Sequence, residues 1–166
     1  MEINLASRDM LDNIMELVSR AIEKMVENGI DQWGDFYPKQ HFFETDIDNK
    51  ELYVAMEDGR LLGVMALTAK QDPEYQAIQW LYGDKYRVIH RLAIDPAQQQ
   101  QGIATRLMLF AEEEARRQGC ESIRLDTYSG NPLALKLYDK LSYERRPGHV
   151  NFDKRPLPYY CFEKRL

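Results

Sequence analysis

The 166-residue sequence predicts an α/β domain, more finely α+β, built on a mixed sheet. In its second half, two strand patterns are each followed by a helical one, the arrangement that yields a parallel pair near the middle of a sheet. In its first half, two apolar runs flank Asp58-Gly59, the strongest short hairpin signal, and so supply antiparallel strands.

Residues 2–6 read as a short strand. Ser7 can then cap a helix whose apolar positions Met10, Ile14, Leu17, Val18, Ala21, Ile22 and Met25 recur at helical spacing, with Gly29 as its stop. Residues 30–38 mix aromatics with Gly and Pro, which favours an ordered loop carrying rings, and a second short helix follows. The runs 52–56 and 61–67 are the hairpin strands. Residues 88–94 form the next strand, stopped by Asp95-Pro96, and from Ile103 to Arg117 helical spacing returns in Leu107, Leu109, Phe110 and Ala111. Residues 123–127 and 132–141 repeat strand then helix, and 159–162 make a last strand beyond a polar, Pro-containing loop. No repeat or linker interrupts the chain, so one domain over 1–166 is expected.

Composition excludes several classes. Hydrophobic residues make up 44% of the chain, enough for a full core. No run reaches the roughly 18 apolar residues of a membrane span, and the start lacks a secretory pattern, so a cytoplasmic protein is expected. Cys120 and Cys161 have neither the number nor the spacing of a disulfide scaffold and read as reduced thiols. His41, His90 and His149 form no ligand-like pair, so no metal is expected. A net charge of −5 argues against nucleic acid as a partner and weakly suits a cationic substrate.

The most informative stretch runs from His90 to Leu107: a strand, a polar turn and a helix with Gly102 and Ala104 at its start. First-turn N–H groups and the helix dipole attract phosphate oxygens, and residues without bulk let a pyrophosphate approach. The turn is neither a Walker loop, lacking Gly-Lys-Ser/Thr, nor a dinucleotide fingerprint, lacking Gly-x-Gly-x-x-Gly. Gln99-Gln100-Gln101-Gly102-Ile103-Ala104 resembles instead the Arg/Gln-x-x-Gly-x-Gly/Ala signature of the GNAT superfamily of acetyltransferases. Downstream, Asn131 to Tyr143 is similar to that family's Asn-x-x-Ala-x-x-Leu-Tyr-x-x-x-Gly-Phe/Tyr helix.

The resemblance is specific between Val88 and Tyr143 and extends in layout over nearly the whole chain. It implies a mostly antiparallel sheet of six to seven strands with a central, splayed parallel pair and helices on both faces. It implies acetyl-CoA as co-substrate: backbone groups of Leu92, Ala93 and Ile94 would pair with the pantetheine arm. The N–H groups of Gln99, Gln100, Gln101, Gly102, Ile103, Ala104 and Thr105 would bind the pyrophosphate, and Asn131 would touch the cofactor near its thiol. An N–H near Leu92 could polarise the thioester carbonyl. A homodimer is the state the family suggests.

Tyr138 lies about two helical turns after Asn131, on the same side of the helix. Its phenol can give the departing thiolate a proton while the amine attacks directly. His90 stands where many family members carry Glu, and without a bulge it shares a strand face with Val88 and Leu92. An imidazole there could take the amine's proton, the competing role being a structural histidine. For the acceptor, a primary amine on a small molecule, amino acid or peptide, Trp33 and Tyr37 come first and Tyr75 next as contacts. Phe36, Trp80 and Tyr82 are further rings, and packing competes with contact for each. Asp126, Tyr128 and Glu44 could meet a cationic amine. A non-catalytic acyl-CoA-binding module is the alternative, and retention of both Asn131 and Tyr138 counts against it. Ser142 occupies the family's Gly position, and four successive glutamines replace an often basic loop, leaving Arg106 as its nearby cation.

Overall fold

A computed structural model describes residues 1–153 and 155–166. The elements are β1 (Glu2–Leu5), α1 (Leu11–Glu27), α2 (Gln40–Asp48), β2 (Leu52–Glu57), β3 (Arg60–Thr68), β4 (Tyr86–Ile94), α3 (Ile103–Arg117), β5 (Ser122–Tyr128), α4 (Pro132–Lys140), β6 (Glu144–Arg145) and β7 (Tyr159–Arg165). Hydrogen bonding orders the strands β1-β2-β3-β4-β5-β7-β6. The sheet is mostly antiparallel, with β4 and β5 as its parallel pair, so the expected mixed α/β class is observed. No helix among the described residues is long and apolar enough to cross a membrane.

The chain groups into two compact units, Met1–Leu67 with His90–Phe110, and Thr68–Ile89 with Ala111–Leu166. In the first, Ile14, Leu17, Val18 and Ala21 of α1 form a core with Phe43 and Ile47 of α2, Leu52 and Val54 of β2, and Val64 and Ala66 of β3. Each of these side chains other than the two alanines contributes about 1.5–3 kcal/mol by leaving water. The hairpin closes through Glu57↔Arg60, with both central residues at positive φ, 48° at Asp58 and 74° at Gly59, as a type I′ turn requires.

One local expectation changes. Ser7 does not cap α1; it precedes a 3₁₀ turn at Arg8–Met10, where its carbonyl accepts from the Met10 N–H and its side chain makes no cap bond. The chain turns immediately after Ser7, but into this tighter turn, and α1 begins only beyond it at Leu11.

The second unit holds a buried polar network. The Arg124 guanidinium on β5 donates to Glu163 Oε1 of β7 (3.0 Å), Gln71 Oε1 (3.1 Å) and the carbonyls of Tyr82 (2.7 Å) and Gly83 (2.9 Å). It also stacks on the rings of Tyr86 and Trp80. Glu163 accepts in addition from the Ser122 hydroxyl and the Leu81 N–H. One ion pair thus fixes the chain that leads into β4.

All four helices end in the same way. Gly29, Lys50, Gly119 and Ser142 follow α1, α2, α3 and α4 at φ 69°, 57°, 76° and 60°. Each stop carries the paired bonds of a Schellman motif, for α4 Ser142 N–H to Asp139 C=O and Tyr143 N–H to Tyr138 C=O, both 2.9 Å. At Lys50 and Ser142 the left-handed conformation falls on a residue with a Cβ. Ser142→Gly is therefore expected to stabilise the protein by up to about 1 kcal/mol, or roughly 2–4 °C in Tm. A thermal melt showing no gain would contradict that strain.

Candidate active site

In the first unit β4 leads into the motif turn. Arg91 interrupts the strand at φ 52°. The even alternation expected to place His90 and Leu92 on one face is therefore broken, because a left-handed residue rotates the chain after it. His90, Leu92 and Ile94 are half-buried and Ala93 is buried. Under β4, a Cβ on Gly63 would stand 2.8 Å from the Ile94 side chain and 3.0 Å from the Ala93 carbonyl, so only glycine lets β3 pass this closely.

The Asp95 carboxylate accepts from the Ala97 N–H at 3.0 Å and from Arg20 at 2.9 Å, which fixes the entry to the turn. Gln99, Gln100, Gln101 and Gly102 are exposed, with Gln100 at φ 66° and Gly102 at φ 78°. A Cβ on Gly102 would meet nothing within 4 Å, so the space above the helix start is open. The first intrahelical bond of α3 runs from Arg106 N–H to Gly102 C=O, which leaves the amides of Ile103, Ala104 and Thr105 without an intrahelical acceptor. An exposed turn opening onto first-turn amides can receive an anion. The Arg106 side chain donates to the Met1 carbonyl.

Trp33 and Tyr37 come together in the loop before α2. Gly34 and Tyr37 exchange backbone hydrogen bonds at 2.9 and 3.1 Å, and the two rings meet edge to face at 6.3 Å. Trp33 is buried, Tyr37 and Glu44 half-buried, and Phe36 exposed. Sequence reasoning missed what holds this loop: Arg91 donates to both oxygens of Asp46 (2.7 and 2.8 Å) and to the Tyr37 hydroxyl (3.1 Å). Burial opposes the guanidinium's charge, but Tyr37 and Asp46 outweigh it and keep Arg91 charged. The apolar spacing of α2 carried no sign of this, since Asp46 faces inward only because Arg91 meets it.

In the second unit the Asn131 side chain accepts from the Ala134 N–H at 3.1 Å and caps α4, a role that asparagine fills for physical reasons alone. Tyr138 is 6% exposed and packs against Tyr143 and Phe162, with ring centroids 6.0 and 5.7 Å away. Burial and the charge of Asp126 raise its pKa, so the phenol keeps its proton far above neutrality. Tyr75 is wholly buried and its hydroxyl donates to Asp126 Oδ1. Tyr128 packs on Tyr159, Trp80 donates to the Tyr75 carbonyl, and Arg165 lies over Tyr82.

Asp126 is the most perturbed carboxyl here. Burial pushes it up to about 7; the Tyr75 hydrogen bond pulls it down, while Asp72 and Glu74 push it up again. Opposite it in the β5–β7 register stands Cys161, whose thiol is pushed up to about 12 by burial and the same carboxylate. The folded carboxyl holds its proton above the unfolded value of about 3.9. Its contribution to stability is therefore fully present at low pH and is lost as pH rises through about 7. Asp126→Asn, neutral throughout, should raise Tm at pH 8 and change it little at pH 4, close to the unfolded value. Equal shifts at both pH values would rule out this titration.

The sequence profile of the acetyltransferase (GNAT) family matches residues 20–143. An acetyltransferase of Agrobacterium fabrum is 29% identical over 109 residues, 66% of this chain and 69% of its own length. A GNAT-family acetyltransferase from Streptococcus agalactiae has a similar crystal structure, with TM-score 0.81 and 27% identity over 99% of this chain and 95% of that one. The fold also matches yncA of Salmonella typhimurium, a structure with its cofactor acetyl-CoA, at TM-score 0.74 and 16% identity over 100% of this chain and 94% of that one.

Proposed function

Because the chain belongs to the acetyltransferase (GNAT) family and is an acyltransferase, we propose that it moves an acetyl group from acetyl-CoA to a primary amine in a ternary complex, as one catalytic domain over residues 1–166. The observation that carries this reading is the exposed turn Gln99–Gly102 opening onto the first amides of α3, with open space where a Gly102 side chain would stand. The pyrophosphate of acetyl-CoA binds the N–H groups from Gln99 to Thr105. Leu92, Ala93 and Ile94 lend backbone groups to the pantetheine arm, and Asn131 contacts the cofactor near its thiol.

The amine nitrogen attacks the thioester carbonyl carbon, the carbon–sulfur bond breaks, and the phenol of Tyr138 protonates the departing thiolate. The amine's proton passes to His90. A second reading gives that proton to Asp126, favoured by a carboxyl held near neutrality. Cys161 is buried and keeps its proton, which counts against a covalent acyl-enzyme. Trp33 and Tyr37 come first, and Tyr75 next, as contacts to the acceptor. Two free cysteines suit a cytoplasmic protein, and the family suggests a homodimer.

The test is release of thiol from acetyl-CoA against a panel of small amines, amino acids and peptides, beside calorimetric titration of acetyl-CoA alone. Turnover with an amine supports the reading. Tight binding with no turnover across the panel would favour a non-catalytic acyl-CoA module, and absence of binding would overturn the role of residues 99–105.

A further inference from the structure

Arg91 combines two features that local sequence does not explain. It sits within β4 at φ 52°, a conformation that long side chains rarely adopt and that persists only where the surroundings over-determine it. Its guanidinium supplies that determination. Both oxygens of Asp46 are bound in a fork, the Tyr37 hydroxyl takes a third hydrogen bond, and the Phe42 ring lies 5.6 Å away. The Arg91 and Asp46 side chains are 9% and 6% exposed. The parallel register of β4 with β5 covers Tyr86–Ile89, so the left-handed residue comes just after its last pair.

The backbone direction of the next three residues depends on the φ of Arg91. On the reading that Leu92, Ala93 and Ile94 hold the pantetheine arm, we infer that Arg91 is a positioning residue. Locked by Asp46 and Tyr37, it turns the Leu92–Ile94 backbone toward the acyl donor and joins the Trp33–Tyr37 loop to that strand. The fork matters as well as the charge: a guanidinium holds a carboxylate at two points and fixes its own orientation, whereas an ammonium is a point charge free to swing.

Arg91→Lys keeps the charge facing Asp46, so the protein folds, but it loses the fork and the bond to Tyr37. Its dissociation constant for coenzyme A by calorimetry, and its KM for acetyl-CoA, should rise about tenfold at a temperature where far-ultraviolet circular dichroism shows it folded. Asp46→Asn, which loosens the same lock from α2, should shift both constants in the same direction. A lower Tm with both constants unchanged in the two variants would make the pair merely structural and overturn the inference. A wild-type protein that binds no coenzyme A would overturn the reading beneath it, a result distinguishable from the first.

Discussion

Replacing Tyr138 by Phe is expected to lower acetyl-CoA turnover by about 10²–10⁴-fold, the usual worth of a positioned proton donor, while the dissociation constant for coenzyme A stays within about twofold. The ring survives the change, so its contacts with Tyr143 and Phe162 remain and the fold is kept. The loss is the hydroxyl alone. Its proton is held by burial and by the field of Asp126, and a group that keeps its proton at neutral pH is available each time a thiolate leaves. Steady-state rates read beside calorimetry separate the two effects. Unchanged turnover would move the proton donor elsewhere, and a parallel loss of coenzyme A binding would make Tyr138 a binding residue.

The second large effect concerns stability. Arg124→Leu should cost about 3–5 kcal/mol, because it leaves Glu163 charged, 1% exposed and without its cation, and strands the carbonyls of Tyr82 and Gly83. Against a typical total of about 5–15 kcal/mol that is a large fraction. Arg124→Lys should recover little, since one ammonium cannot serve acceptors spread around a planar fork. Urea denaturation checks both. The double variant Arg124→Met, Glu163→Leu is expected to regain only part of the loss: no buried charge is then left unpaired, but the Tyr82 and Gly83 carbonyls and the Leu81 N–H still lack their partners. A cost below about 1 kcal/mol for Arg124→Leu would mean that the network adds little net stability.

What sequence conveyed and what it withheld follow from the range of the interactions. The Asp58-Gly59 hairpin, the Gly29 stop and the Gln99–Gly102 turn are decided by neighbouring residues, and their positive φ values carry the same information as their side chains. Ser7 misled because the 3₁₀ turn after it has no side-chain signature. The two-residue strand β6 is too short and too exposed for alternation to show. Arg91 with Asp46, and Arg124 with Glu163, stand 45 and 39 residues apart. Each arginine reads as an ordinary surface cation until the fold supplies its carboxylate. Asp126 is alike in this respect, for its titration near neutrality comes from burial, reinforced by Asp72 and Glu74, more than 50 residues earlier in the chain.

The left-handed stops after the helices bear on the folding search. From Gly119 the chain reaches β5 at Ser122, and from Ser142 it reaches β6 at Glu144. Connections this short leave few offsets at which the next strand can begin, so its register is counted from a local signal before any distant partner arrives. Local and global preferences then agree, which is the condition for a landscape with few competing minima. Two of these stops, Lys50 and Ser142, fall on residues that resist the conformation they must adopt. Ser142 precedes β6, which among the described residues pairs with β7 through Glu144↔Glu163 and Arg145↔Phe162, so there the resisting residue stands where a misplaced register would sacrifice few contacts.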